Sequence, residues 1–219
     1  MLWHVYQAVT RAKKIEAAWI LSDSQEVLDI ASSWGAKTII TSEDCPSGTD
    51  RIASVIDSMS AEIIVNVQAD EPLIDPTVVD RLVEALEGSE ADVATPVYRL
   101  TDIDELANSN VVKVVRAHDG SALYFSRSTV PYVRDAEFQD WLAHSKFWGH
   151  VGVYAYRNEV LKRFPNLPKG SLESVENLEQ LRLMESGAHF LTLEINYRPQ
   201  AVDVPEDLEA VKRTMQAKI

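Results

Sequence analysis

A single cysteine, Cys45, is the whole thiol inventory of this 219-residue chain. It excludes an internal disulfide framework and a cysteine-based zinc site, and it makes a reducing cytoplasm the simplest compartment. Long apolar runs are missing too: no stretch approaches membrane-spanning length, and no signal peptide is visible. Basic residues are scarce. With 21 Lys and Arg against 34 Asp and Glu the formal net charge is -13, which argues against nucleic acid or any other polyanion held by bulk electrostatics. A phosphate ligand would need local basic groups or a metal. Internal repeats and low-complexity segments are also absent. What remains, with 46% hydrophobic residues, can bury a sizeable core. The expectation is one domain over 1–219 with a protruding arm.

The chain reads as α/β. Val5, Ala8, Val9 and Ala12 share a helical face, with no capping residue or strand ahead of them. Ala17 to Leu21 is a strand. Asp23 with Glu26 forms a capping box for a helix that puts Val27, Ile30, Ala31 and Trp34 on one face and ends at Gly35. After the short strand Thr38 to Ile40, Thr49 caps a helix carrying Ile52, Val55, Ile56 and Met59. The β-branched run from Ile63 to Val67 suits a strand buried on both faces of a parallel sheet. It ends in Gln68, Asp70 and Glu71, at the strand end where open α/β sheets bind ligands. Asp75-Pro76 starts the next helix and Gly88 ends it. This βαβαβα order predicts a largely parallel sheet.

The second half changes character. Val93 to Val97 is a strand, and Val111 to Ala117 and Ser121 to Phe125 flank Asp119-Gly120 as a hairpin, hence an antiparallel arm. Arg134 to Lys146 reads as a loop or short helix and Gly149 to Tyr156 as a strand. Leu172 to Ser186 is helical, Phe190 to Ile195 is a strand, and Pro205 opens a terminal helix.

Four features can carry chemistry, and each also has a plain structural reading. Ser47-Gly48-Thr49-Asp50-Arg51 runs a small-residue loop into a helix start that favours an anion, or it is simply a cap. Asp70 and Asp203 both lie at element ends and offer the hard oxygens that suit Mg²⁺, or are two surface aspartates. Tyr124-Phe125-Ser126-Arg127 with His150 and Tyr154 supplies an arginine fork for a carboxylate and polar rings for a polyol, or packed rings and a surface ion pair. Glu179 and Gln180, within Leu178-Glu179-Gln180-Leu181-Arg182, turn away from the buried side of a helix that is otherwise an ordinary amphipathic one.

In order, these pieces form a series: Ser-Gly-Thr-Asp-Arg, Val-Asn-Val-Gln-Ala-Asp-Glu-Pro, Asn110-x-Val-Lys-Val, Leu-Tyr-Phe-Ser-Arg-Ser, Gly-His-Val-Gly-Val-Tyr-Ala-Tyr, Leu-Glu-Gln-Leu-Arg and Val-Asp-Val-Pro-Glu-Asp-Leu. The series resembles the 3-deoxy-manno-octulosonate (Kdo) cytidylyltransferases from Met1 to the last helix. The resemblance implies a three-layer, Rossmann-like nucleotide-diphospho-sugar transferase fold with an antiparallel dimerisation arm. It implies that CTP and Kdo give CMP-Kdo and pyrophosphate for lipopolysaccharide assembly, in a cytoplasmic homodimer that uses Mg²⁺ and binds neither nucleic acid nor membrane. Asp70, Asp203 and Arg51 are then the catalytic set, with the two aspartates on the metal. Ser47, Gly48, Thr49, Arg51 and Gln68 meet the nucleotide. Gln68, Arg127, His150, Tyr154, Glu179 and Gln180 meet the sugar, with Arg127 on its carboxylate.

Departures from the family pattern are Asp50 where Glu is common, Ala69 where Gly is common, and Val204 where a hydroxyl residue is usual. The larger one is at the front. Family members begin with a strand and an Arg- and Lys-bearing triphosphate loop, and Met1 to Val5 resembles the helix after that loop. The expectation is a gap, a closed-up sheet or a borrowed strand beside Val65, and no activity from the chain as it stands. Two function classes follow: a Kdo cytidylyltransferase, or one for a related acid such as 8-amino-Kdo or an acylneuraminate; and a non-catalytic homologue that dimerises or binds sugar.

Overall fold

The structure, a computed structural model, describes residues 1–202 and 204–216. In chain order it contains α1 (Leu2–Val9), β1 (Trp19–Ser22), α2 (Gln25–Ser33), β2 (Lys37–Ile40), α3 (Gly48–Ala53), β3 (Ile63–Asn66), α4 (Pro76–Glu87), β4 (Val93–Leu100), α5 (Ile103–Ala107), β5 (Lys113–Arg116) and β6 (Ala122–Ser126). Then come α6 (Trp141–His144), β7 (Phe147–His150), β8 (Tyr154–Arg157), α7 (Asn158–Arg163), α8 (Ser171–Glu176), α9 (Gln180–Glu185), β9 (Phe190–Ile195) and α10 (Pro205–Gln216).

The strands form two sheets. β1 and β2 make a parallel pair by themselves, and the other seven run β3-β8-β4-β7-β5-β6 with β9 added to β4. The expected parallel majority is wrong. Only β1 with β2 and β4 with β9 are parallel, while β3–β8, β4–β8, β4–β7, β5–β7 and β5–β6 are antiparallel. The early βαβαβα order misled because the run read as one strand from Gly149 to Tyr156 breaks into β7 and β8, which insert between earlier strands. β3, β4 and β9 still point the same way, so their carboxyl ends share one rim of the sheet. Beside Val65, β3 is an end strand of the larger sheet, and among the described residues no ladder joins it to the β1–β2 pair.

Alternation along the central strands builds three layers. From β4, Ala94, Tyr98 and Leu100 face the core under α4, and Val93 and Val97 face the core under α7 and α9. In β8, Ala155 faces the first core, and Tyr154 and Tyr156 the second. α4 forms as its sequence predicts: Asp75 caps Thr77 N–H at 2.8 Å, Pro76 occupies the first turn, and Val78, Val79, Leu82, Val83 and Leu86 are buried. Leu82, fully buried in that face, should cost about 2–5 kcal/mol as Ala. The β1–α2–β2 unit has a small core of its own, Ile20, Leu28, Ala31 and Ala36. It joins the rest through α1, whose Ala8 lies in the core under α4, and through Lys14, which donates its backbone N–H to Asp80.

Local corrections follow hydrogen bonds that spacing does not reveal. Ser24, not Asp23, caps α2, and Leu28 replaces Ile30 on its buried face. Ser47, not Thr49, caps α3, which ends at Ala53 before a 3-10 turn at Ile56–Ser58. The helix expected over Leu172 to Ser186 is two, α8 and α9, separated where Asn177 adopts φ 52°.

Candidate active site

At the rim where β3 ends, the side chains form a connected series. Asn66 lies across from Tyr154 in the β3–β8 ladder, and Val97 lies across from His150 in β4–β7. The Ser47 cap and the first turn of α3 fold onto this rim. A Cβ at Gly48 would come within 3.2 Å of Gln68 Nε2 and 3.4 Å of Asn66 Nδ2, so glycine there allows the loop to rest on the two amides. Ser47 closes the cap both ways, accepting from Asp50 N–H at 3.1 Å and donating its hydroxyl to Asp50 Oδ2 at 2.6 Å.

Thr49, which the resemblance assigns to the nucleotide, is buried and already has protein partners. It is 1% exposed, its hydroxyl donates to Glu179 Oε1 at 2.5 Å and it lies 3.2 Å from the Tyr156 hydroxyl. Thr49 and Glu179, assigned to different substrates, are thus bonded to each other. Arg51 also has protein partners: its guanidinium donates to Asp23 Oδ2 at 3.0 Å and to the Thr41 hydroxyl, tying α3 to the ends of β1 and β2.

Arg127, expected on the sugar carboxylate, also has protein partners. Three of its N–H groups go to backbone carbonyls, Nε to Glu176 at 2.7 Å, Nη1 to Ser109 at 3.2 Å and Nη2 to Asn177 at 3.3 Å. The side chain thereby closes the end of α8, a role that spacing did not show. One N–H on each terminal nitrogen remains for a carboxylate. The Arg127 backbone N–H, the Ser126 hydroxyl and the Tyr124 hydroxyl all donate to the Glu176 carboxylate. Burial pushes that carboxyl up, but these bonds and the Arg127 charge outweigh it, so its pKa lies below the usual glutamate value. Beneath them Lys113, fully buried, donates to the carbonyls of Asn108 and Val111, and burial lowers its pKa.

His150 and Tyr154 are a different kind of residue. The Thr95 hydroxyl has one proton, and the shortest acceptor for it is the Val153 carbonyl at 2.8 Å. Its lone pair then faces His150 Nε2 at 3.0 Å, which assigns the proton of the imidazole to Nε2 and leaves Nδ1 an acceptor with no partner among the described residues. Desolvation lowers the imidazole pKa to about 3, so the ring is neutral at physiological pH. The Tyr154 ring packs at 5.2 Å from His150 and 5.5 Å from Tyr156, and burial raises both phenol pKa values well above the ordinary one. Asn66 Nδ2 and Gln180 Nε2 are buried donors without a partner among the described residues. Unpartnered buried amides are rare in folded proteins unless water or a ligand meets them.

The structure therefore brings together Ser47, Gly48, Thr49, Gln68, His150, Tyr154, Glu179 and Gln180, with Arg127 at the α8 end of the same region. Arg51 faces the β1–β2 unit. Asp70 follows β3, and its carbonyl accepts the N–H of Val202 at 2.9 Å. Asp203 lies outside the described residues, so the expected metal pair is described on one side only. No group of three or more His, Cys, Asp or Glu side chains converges as a ligand set among the described residues. Two hollows of about 270 and 300 Å³ open beside Tyr197 and Arg198, and of the residues proposed at the strand end only Glu71 lines one of them. The hydrogen-bonded cluster is the better guide to chemistry, because its polar groups converge while the hollows are shallow surface recesses. Asn66, Thr95, Tyr156, Glu173, Glu176 and Arg182 were missed in the sequence. Asn66 had a signal: an amide ending a buried strand, two residues before Gln68.

Comparison with known proteins gives this cluster its context. The cytidylyltransferase family model matches residues 1–195. The 3-deoxy-manno-octulosonate cytidylyltransferase of Solibacter usitatus is 43% identical over 221 residues, covering 100% of this chain and 85% of that protein. The enzyme of the same name from Acidobacterium capsulatum is 42% identical over 215 residues, covering 98% and 85%. Among solved structures, CMP:2-keto-3-deoxy-manno-octonic acid synthetase complexed with CTP superposes with a TM-score of 0.92 at 35% identity, over 100% of this chain and 88% of that one. A putative glucose-1-phosphate thymidylyltransferase from Bacillus anthracis, at 11% identity and a TM-score of 0.65, shares the fold alone. Identity of this extent over the whole chain, with the same backbone, places the chain in the family of 3-deoxy-manno-octulosonate cytidylyltransferases.

Proposed function

We propose that this chain transfers the cytidylyl group of CTP to Kdo, releasing pyrophosphate and giving CMP-Kdo for lipopolysaccharide assembly. The observation that carries the reading is the full-chain superposition on a synthetase complexed with CTP at 35% identity. The anomeric hydroxyl of Kdo attacks the α-phosphorus. A new O–P bond forms there as the bond to the pyrophosphate oxygen breaks, and the hydroxyl proton is released. Such a transfer depends on positioning and charge neutralisation rather than on a covalent intermediate.

In this reading the loop Ser47–Thr49 with Gln68 lies against the nucleotide. His150, Tyr154 and Gln180 face the sugar acid, and the two spare N–H groups of Arg127 meet its carboxylate. A neutral His150 with Nδ1 open accepts from a sugar hydroxyl rather than donating charge. Asp70 and Asp203 would hold Mg²⁺ as hard oxygen ligands, and the ion would supply charge neutralisation at the phosphates. The chain acts in the cytoplasm, supported by its one cysteine and by the lack of any membrane-crossing helix among the described residues. It pairs as a homodimer through the β5–β6 hairpin, supported by β6 being an outer strand with Leu123 60% exposed.

Pyrophosphate release from CTP with Kdo, 8-amino-Kdo or N-acetylneuraminate tests the assignment. Kdo should be used at least tenfold better than either alternative, a ratio of about 1.4 kcal/mol in transition-state binding. Preference for another acid would overturn the sugar assignment. Binding of sugar with no affinity for CTP would favour the non-catalytic reading.

A further inference from the structure

Arg182 and Glu173 belong to no substrate contact assigned above, yet they hold one of the most buried charge clusters in the molecule. The side chains of Arg182, Glu173 and Asp50 are 11, 6 and 16% exposed. The Arg182 guanidinium forks onto Glu173, with Nε to Oε2 at 2.8 Å and Nη2 to Oε1 at 2.6 Å. Its remaining terminal nitrogen reaches Asp50 Oδ1 at 3.3 Å, and its plane covers the Phe164 ring at 4.3 Å. Asp50 in turn receives the Ser47 hydroxyl. The series Glu173–Arg182–Asp50–Ser47 joins the neighbouring helices α8 and α9 to the cap and first turn of α3, far from them in the chain. The bond from Thr49 to Glu179 runs beside it.

We infer that Arg182 is a positioning residue: it locks the Ser47–Thr49 loop to the α8–α9 corner that carries Glu179 and Gln180, so that the two substrate halves of the site are held in one frame. The inference rests on the reading of that loop as a nucleotide contact. Three charged groups this little exposed are a costly way to join two helices, and an apolar contact of the same volume would often hold them as well. What the charges add is direction. A bidentate fork fixes the guanidinium plane, the third nitrogen fixes the Asp50 carboxylate, and that carboxylate orients the Ser47 hydroxyl. Lysine cannot supply the three directions at once.

The test uses the full chain with CTP and Kdo, comparing Asp50→Asn, Arg182→Met, their combination, and Arg182→Lys. Urea midpoints are measured beside CTP affinity by titration calorimetry and, from turnover, KM for each substrate. Each single variant should weaken CTP binding by about tenfold in folded protein, and the double variant by no more than the worse single one, because all break one link. Arg182→Lys should fail to restore CTP affinity even if it restores the urea midpoint. Asp50→Asn keeps volume and most hydrogen bonds, so it reports even if Arg182→Met does not fold. CTP affinity within twofold of the unsubstituted chain, or strictly additive losses, would overturn the inference. Ser47→Ala separates the two readings. If it weakens CTP while the Asp50 and Arg182 variants do not, the positioning role falls alone. If neither it nor they affect CTP, or the unsubstituted chain binds none, the loop assignment falls and takes the inference with it.

Discussion

The cap and first turn of α3 and the facing rim of β3, β7 and β8 meet at one place but are built on opposite terms. At the start of α3 nearly every polar group already has a protein partner: Ser47 with Asp50, Thr49 with Glu179, Asp50 with Arg182, Arg51 with Asp23 and Thr41. On the rim and the start of α9, Asn66 Nδ2, Gln180 Nε2 and His150 Nδ1 have none among the described residues. Satisfied groups give a site its shape, whereas unsatisfied ones are what a ligand can reach. A motif shared with a family does not distinguish the two. Substitutions on the two sides should therefore part company, with stability lost on one and affinity lost on the other.

The largest stability effect belongs to Glu173. Glu173→Ala leaves Arg182 buried with only Asp50, and removing one partner of a buried pair typically costs about 3–5 kcal/mol. Urea denaturation should show it. A loss under 1 kcal/mol would mean that Arg182 swings to solvent and that the loop side is less rigid than its bonds suggest. Thr49→Val follows in size. It keeps the volume but leaves the Glu179 carboxylate and the Tyr156 hydroxyl short of a partner at a buried point, for about 1–3 kcal/mol. An unchanged urea midpoint would show that these bonds do not hold the start of α3 in place.

His150 gives a pH test of the rim, and the sign follows from its depressed pKa. Above the ordinary histidine value of 6.5 the ring is neutral in both folded and unfolded chains and contributes nothing to the pH dependence. Below 6.5 the unfolded chain takes up a proton that the folded chain refuses until about 3, so stability falls as pH falls through that window. The slope is about 1.4 kcal/mol per pH unit for one proton. Glu176 adds acid sensitivity only lower, as the pH falls toward its depressed carboxyl pKa. Urea midpoints between pH 6 and 5 isolate the histidine. His150→Asn should flatten the profile there, and equal slopes in both proteins would show that the imidazole is already charged.

How far the sequence led can be judged on the same two sides. Segments whose burial follows local periodicity were legible: α4 from its cap, proline and heptad-like face, the β5–β6 hairpin from Asp119-Gly120, and α10 from Pro205. Strand order was not. Whether β8 lies beside β3 or far from it depends on pairing between residues some ninety apart, which no local pattern encodes, and so an apparent parallel series became a mostly antiparallel sheet. Among the proposed site residues, the chain pattern indicated where a side chain would lie but not which protein group it would bond. Arg127 has the fork that a carboxylate needs, but most of its hydrogen bonds go to the end of α8, a contact created only when Asn177 ends that helix. Asn66 went unnoticed beside Gln68 and Asp70 because a buried amide is read as structural until its missing partner can be seen.

Asn66 gives the smallest expected change in stability and the sharpest test of the comparison. It is 6% exposed at the end of β3, and its amide nitrogen faces the loop at Gly48 without an acceptor among the described residues. A buried donor with no partner contributes a desolvation cost and no compensating bond. Asn66→Leu removes that cost, keeps nearly the same volume, and breaks no hydrogen bond that the side-chain nitrogen makes to the protein. The urea midpoint should stay level or rise, the opposite of Thr49→Val beside Gly48. Affinity should move the other way. If the amide is held for a substrate acceptor, losing one hydrogen bond to CTP weakens binding about five- to tenfold. A marked drop in stability with unchanged CTP affinity would make Asn66 part of the satisfied frame, and the division between the two sides of the site would have to be redrawn through β3 itself.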